Sequence, residues 1–253
     1  MTLLHDKALS THYGFLPPNG DDVVEQLTSI YRHLVDTYES TIQGWILALE
    51  LHDGESRAHA FRVAEMAVRL ATEVGIKEPM LPHIRHGALL HDIGKLGVPG
   101  SILKKNGPLT NEEWVIMQKH PALAHELLAP IKFLEPALDI PIYHHEKWDG
   151  SGYPHGLRGE QIPLAARIFT VVDVWDALRS NRPYRTEAWS DKKIATYLQQ
   201  QAGHSFDPMI VKTFVKLLTQ QLPNRRAVVD SHSTPQYNQP NLIISSLLGG
   251  VSG

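Results

Sequence analysis

The sequence predicts an all-α fold. Three observations predict it: apolar residues recur three and four apart through most of the chain, no segment alternates apolar and polar side chains as a half-buried strand would, and caps or breakers bound the periodic segments. No internal repeat is present.

Taken in order, Pro17-Pro18-Asn19-Gly20 marks residues 1–20 as a tail or linker stub. A helix is expected from Asp21, with Val24, Leu27, Ile30, Leu34, Val35 and Tyr38 at helical spacing behind an acidic start. The stretch "SRAHAFRVAEMAVRLATEVG" predicts a second helix, with Phe61, Ala64, Met66, Ala67 and Leu70 on or near one stripe and Gly75 as its stop. A third is expected over "LPHIRHGALLHDIGK", begun near Pro82 and ended by Gly94 and Gly97. "TNEEWVIMQKHPALAHELLAP" opens with Thr110 or Asn111 as a cap and Glu112 or Glu113 in the first turn, and is expected to be one helix. Helices are also expected over "PALDIPIYHHEKW" and "PLAARIFTVVDVWDALRS", separated by the Gly/Pro-rich stretch from Asp149 to Pro163. Two more follow, over "DKKIATYLQQQ" and "PMIVKTFVKLLTQQL", and the polar, turn-rich residues beyond Pro223 predict a loose tail.

The bulk numbers narrow the function. Of 253 residues, 42% are hydrophobic, enough for a substantial core, and the formal net charge of -3 argues against general binding to nucleic-acid polymers or membrane surfaces. There is no cysteine, so disulfides and thiolate metal sites are excluded. A secretory leader and a bilayer-length apolar run are both lacking, and a soluble, cytoplasmic protein is expected. Fifteen histidines are many for this length, so their placement decides whether they matter.

Several stand beside carboxylates. Glu55 and His59 are four apart and would share a helix face, while His91 and Asp92 are neighbours at a helix end and can bracket one cavity. Asp92 lies between "GALL" and "IGKLGV", and Asp173 lies in "IFTVVDVWDAL"; an ionised carboxylate in such surroundings is costly unless a cation or hydrogen bonds offset it. His120, His144 and His145 complete the set. Singly, each has an ordinary explanation: His120 before Pro121 as a helix-end residue, Glu55 with His59 as a solvated pair, Asp173 as a cap or partner of Arg167 or Arg179. Asp53 also follows a histidine without standing out. Together, in a chain without cysteine, they point to a mixed imidazole and carboxylate site for iron, manganese or zinc rather than a closed structural zinc.

Longer motifs sharpen this. "HDIGK" at 91–95, "HHEKWDGSGYPHGLRGEQIPLAARI" at 144–168 and "DVWDALRSNRPYR" at 173–185 resemble the HD-GYP family, a branch of the HD metal-dependent phosphohydrolases, and the similarity runs from about Gly44 to Leu218. The stretch "GWILALELHDGESRAHAFRVAE" resembles the family's opening helix, with Ser56 where threonine is commoner. The resemblance implies metal ligands at His59, His91, Asp92, His120, His144, His145 and Asp173, with Glu55 marking the type that holds a third metal. It implies an all-α, HD-type helical bundle with its metal centre in the core. The implied reaction is hydrolysis of cyclic di-GMP to pGpG and onward to GMP, with two or three divalent ions, iron or manganese first. Lys95 is the lysine of the HD motif, Tyr153 the tyrosine of the name motif, and Arg182 and Arg185 match residues that hold substrate phosphates.

Chemistry and resemblance agree. Paired divalent cations activate water near neutral pH and stabilise an in-line displacement at phosphorus, with Asp92 as the natural bridge. Lys95 is expected to bind the phosphate or protonate the leaving 3′ oxygen, and its alternative role is a cation at a helix end. His144 and His145 are expected to serve different ions. The expected organisation is a tail and linker or dimerisation helix over 1–43, the catalytic domain over 44–222 and a flexible tail over 223–253. A homodimer through the first helix and an attached sensory or receiver module are the expected partners. Another cyclic dinucleotide as substrate, such as cyclic GMP-AMP, and a non-catalytic cyclic di-GMP sensor are the alternatives.

Overall fold

The computed structural model describes residues 20–54, 56–180 and 188–220, and these are helical with no strand among them; two isolated bridges, Asp149 with Arg158 and Ala202 with Phe206, are the extent of the β-pairing. The all-α prediction holds. Contacts divide the described residues into two units, one up to Glu39 and one from Ser40 onward. The described part of the first is the start of α1 (Gly20–Asp53), where Val23, Val24, Leu27, Ile30 and Leu34 are all exposed.

In the second unit, α2 (Arg57–Val74) starts at Ser56, whose hydroxyl accepts the His59 amide, and ends at Gly75 with φ 103°, a conformation that glycine adopts without a Cβ penalty. It packs on α3 (Met80–Leu89) and on α8 (Leu164–Arg179). Helix α8 is apolar nearly all round, as befits the central helix: Ala166, Ile168, Phe169, Val171, Val172 and Trp175 are buried. Helices α9 (Asp191–Gln200) and α10 (Pro208–Gln220) close the core through Ile194, Leu198, Ile210 and Phe214.

Three expected helices are broken, each at a site residue. The third stops at Leu89, and Ile93–Gly97 forms a separate 3-10 turn, so His91 and Asp92 sit in the corner between them. The segment from Thr110 divides into α5 (Asn111–Met117), with its full capping box, and α6 (His120–Leu128), because Pro121 has no N–H and starts a new helix with His120 at its head. The next segment is a 3-10 turn, Lys132–Ala137, followed by the short α7 (Asp139–Tyr143), with His144 as its C-cap. A four-residue helix, α4 (Gly100–Leu103), lies between the HD corner and α5.

Gly94 explains how close the corner lies to α6. A Cβ there would come 1.8 Å from the His120 carbonyl oxygen and 2.7 Å from the Ala124 nitrogen, so only glycine allows the approach that sets Asp92 beside His120. No described helix is long and apolar enough to cross a membrane. The expected C-terminal tail, 223–253, lies outside the described residues.

Candidate functional site

Seven of the eight expected metal ligands are described, and they converge. Among the described residues they form two groups whose donor atoms lie within 4.8 Å of one another: Asp92, His120, His144 and His145, and His59, His91 and Asp173. His144 and His145 therefore fall in one group rather than serving different ones, because the chain turns sharply after α7 and brings both rings to the same side of Asp92. Their centroids are 4.0 Å apart.

Asp92 stands between the groups. Its Oδ2 is 3.0 Å from His91 Nε2 and accepts a 2.6 Å hydrogen bond from Lys95 Nζ. Its Oδ1 is buried with no hydrogen-bond partner, 3.5 Å from His120 Nε2 and 3.7 Å from His144 Nε2. Burial pushes the Asp92 carboxyl up, but the Lys95 ammonium and the neighbouring imidazoles outweigh it and hold the group well below the usual carboxylate range.

Hydrogen bonds at the far side of the rings fix which nitrogen faces inward. Nδ1 of His91 donates to the Ala88 carbonyl at 2.9 Å, that of His120 to Met117 at 2.8 Å and that of His144 to Ile140 at 3.0 Å. A carbonyl oxygen only accepts, so Nδ1 is the donor in each ring and Nε2 is the nitrogen left facing Asp92. Burial pushes His120 down to about 4 and, with its neighbouring imidazoles, His145 well below the usual histidine range, which keeps both rings neutral at pH 7. Ring nitrogens and the unpartnered Asp92 Oδ1 thus face one another across a buried space, an arrangement a divalent cation satisfies. The donor set, nitrogen and oxygen without sulfur, fits the metals expected from sequence.

His59 is braced by a side chain instead. Its Nδ1 donates to Asp176 Oδ2 at 2.7 Å, and Arg62 donates to both oxygens of Asp176 at 2.9 and 2.8 Å. Its Nε2 is 3.6 Å from Asp173 Oδ1. Burial alone would raise the Asp176 carboxyl, yet Arg62 and His59 hold it far below the usual range. Asp173 is thus not the partner of Arg167 or Arg179: Arg167 pairs with Asp207 at 2.7 Å and Arg179 stacks on Trp175. Phe169 of α8 forms an apolar floor beneath the rings of His91 and His144.

Four supporting residues were not singled out from sequence. Asp176 lies one turn after Asp173 and Arg62 one turn after His59, a spacing that a helix reading makes visible. Thr170 donates its hydroxyl to the His144 carbonyl at 3.0 Å, fixing the HH corner to α8. Asp53 has a buried side chain 4.0 Å from Lys95 Nζ, so this His-Asp pair does bear on the site. Tyr153 stacks on His145 with centroids 4.7 Å apart and an interplanar angle of 23°. Burial, reinforced by Asp92, raises its phenol pKa, and the hydroxyl remains a donor at working pH. Glu55, Arg182 and Arg185 lie outside the described residues.

The family description "HD domain" matches residues 44–210. The chain belongs to the HD domain family. Within it, the chain is 39% identical over 194 residues to the cyclic di-GMP phosphodiesterase response regulator RpfG of Xanthomonas campestris pv. campestris, covering 76% of this chain and 51% of that protein. It is 40% identical over 185 residues to 3'3'-cGAMP-specific phosphodiesterase 2 of Vibrio cholerae, covering 72% of this chain and 35% of that one. The chain therefore spans about half of the length of the first relative and about a third of the second. A solved cyclic GMP-AMP specific phosphodiesterase of V. cholerae, V-cGAP3, shares the HD domain fold with a TM-score of 0.56 at 18% identity, over 74% of this chain and 49% of that one. The family expected from the motifs is borne out, and HD domain phosphohydrolases bind divalent metals.

Proposed function

We propose that this HD domain is a metal-dependent phosphodiesterase that opens cyclic di-GMP to pGpG and carries it on to GMP. The observation that carries the reading is the buried, unpartnered Oδ1 of Asp92 between two groups of inward-facing donors. The ions would be held by His59, His91, Asp92, His120, His144, His145 and Asp173, with Glu55 as an eighth ligand, and would be two or three in number, iron or manganese. When bound, they supply an activated water and charge stabilisation at phosphorus. Asp92 spans the two groups, and Lys95, held against Asp92 Oδ2, is placed to give a proton to the leaving 3′ oxygen. Tyr153 would line the substrate pocket as a hydrogen-bond donor, and Arg182 and Arg185 would hold phosphate oxygens bidentately.

The 40% identity to a 3'3'-cGAMP-specific enzyme favours cyclic GMP-AMP as the second reading of substrate. Product chromatography after anaerobic loading with iron or manganese, with both cyclic dinucleotides offered and Asp92→Ala as control, separates the two. Release of pGpG or GMP from cyclic di-GMP supports the first reading. Turnover of the hybrid alone supports the second, and binding without turnover makes the domain a sensor.

The setting follows the same reading: a cytoplasmic protein with a tail and linker or dimerisation helix over 1–43, the catalytic domain over 44–222 and a flexible tail over 223–253. The exposed Leu27, Ile30 and Leu34 support helix pairing in a homodimer or with a sensory or receiver module. Light scattering of wild type against a Leu27→Lys, Leu34→Lys variant tests it, and an unchanged mass removes it.

A further inference from the structure

We infer that Glu146 is a positioning residue that sets Tyr153 against the metal-binding imidazoles, and so tunes affinity for the cyclic dinucleotide; the inference rests on the proposed function. Glu146 follows His145 directly and is only 1% exposed. Its side chain turns away from the histidines and into the loop that follows. Oε1 accepts the backbone N–H of His155 at 2.7 Å and Oε2 that of Leu157 at 3.0 Å. One carboxylate thus holds both residues on the far side of the turn containing Tyr153 and Pro154.

The near side of the loop is closed by backbone. Tyr153 N–H donates to the His145 carbonyl at 3.2 Å. Gly152 lies flat on the chain: a Cβ there would come 2.4 Å from the Lys147 nitrogen and 2.5 Å from Glu146 Cα. The loop base is tied to the turn before α10, through Trp148 N–H to the Ser205 carbonyl and Asp149 N–H to the His204 carbonyl. Between these anchors the Tyr153 ring stacks on His145, its centroid 6.4 Å from that of His120. Because each Glu146 oxygen takes one N–H, glutamine at this position offers one acceptor too few and sets its own N–H₂ against a donor.

The test uses the full chain. In Glu146→Gln, amide exchange at His155 and Leu157 should accelerate about tenfold while α8 is unchanged. KM for cyclic di-GMP should rise about tenfold with kcat within about threefold and metal per chain unchanged, and the KM effect should vanish in a Tyr153→Ala background. Unchanged exchange, a KM effect that persists without Tyr153, or loss of metal would each overturn the proposal, the last because Glu146 would then be supporting His145. Should Glu146→Gln not fold, Glu146→Asp, which keeps both acceptors but draws them back by one methylene, must move exchange and KM in the same direction. Wild-type protein inert towards every cyclic dinucleotide would instead strike at the proposed function, while the exchange measurement still decides the clamp.

Discussion

The two donor groups of the site differ in what holds one of their rings. In the first, backbone carbonyls of Met117 and Ile140 orient His120 and His144, and a glycine contact presses the HD corner onto α6. In the second, His91 is likewise held by a backbone carbonyl, that of Ala88, but His59 depends on one buried side chain, Asp176, itself held by Arg62, and Asp173 remains partly exposed. A ring fixed by backbone is as rigid as the fold that carries it. A ring fixed by a carboxylate can be loosened by a single substitution that leaves the helices standing.

Asp92 belongs to the first group but touches the second through His91, so its removal should erase the contrast. For Asp92→Ala we expect the proposed phosphodiesterase activity to fall by at least about a thousandfold and bound metal to drop in elemental analysis. Gly94→Ala should part the HD corner, which carries both Asp92 and His91, from His120. The added methyl collides with main chain, so a loss of about 3 kcal/mol is expected, read as a melting point lower by about 10 °C.

Acid should expose the first group in metal-stripped protein. His120 is held at about 4 when folded against 6.5 in the unfolded chain, so below pH 6.5 the unfolded state takes up a proton that the folded state refuses. Stability should therefore fall by up to about 3 kcal/mol as pH drops from about 6.5 to 4, with His145 acting in the same direction; denaturant titrations at several pH values check this. Above pH 7 the contribution should be flat. Asp176→Asn should touch only the second group, weakening its metal affinity about 10- to 100-fold while the first stays unchanged, which a calorimetric titration resolves as two phases moving apart. Equal weakening of both phases would show that the two halves are not separate.

Much of this was legible in one dimension. The caps at Ser56 and Thr110 and the stop at Gly75 act over one helical turn, so their residues announce them. The seven donors that the structure brings together were legible as candidates because their chemistry recurs in long motifs. What escaped were the breaks at Leu89 and at His120, where periodicity continues in sequence after the hydrogen-bond ladder has ended. Grouping escaped too: that His144 and His145 share a side of Asp92 depends on where α7 stops against α8, contacts 26 residues apart through Thr170.

The sequence by itself determined the helical class, the residue types of the site and the family, because periodicity, capping and donor chemistry are local properties. Only the tertiary structure decided which donors face each other, which ring nitrogen turns inward and that Asp176 and Glu146 stand behind them. Those depend on distances between segments far apart in the chain, set by the packing of α2, α3 and α8 and by the close approach that Gly94 allows.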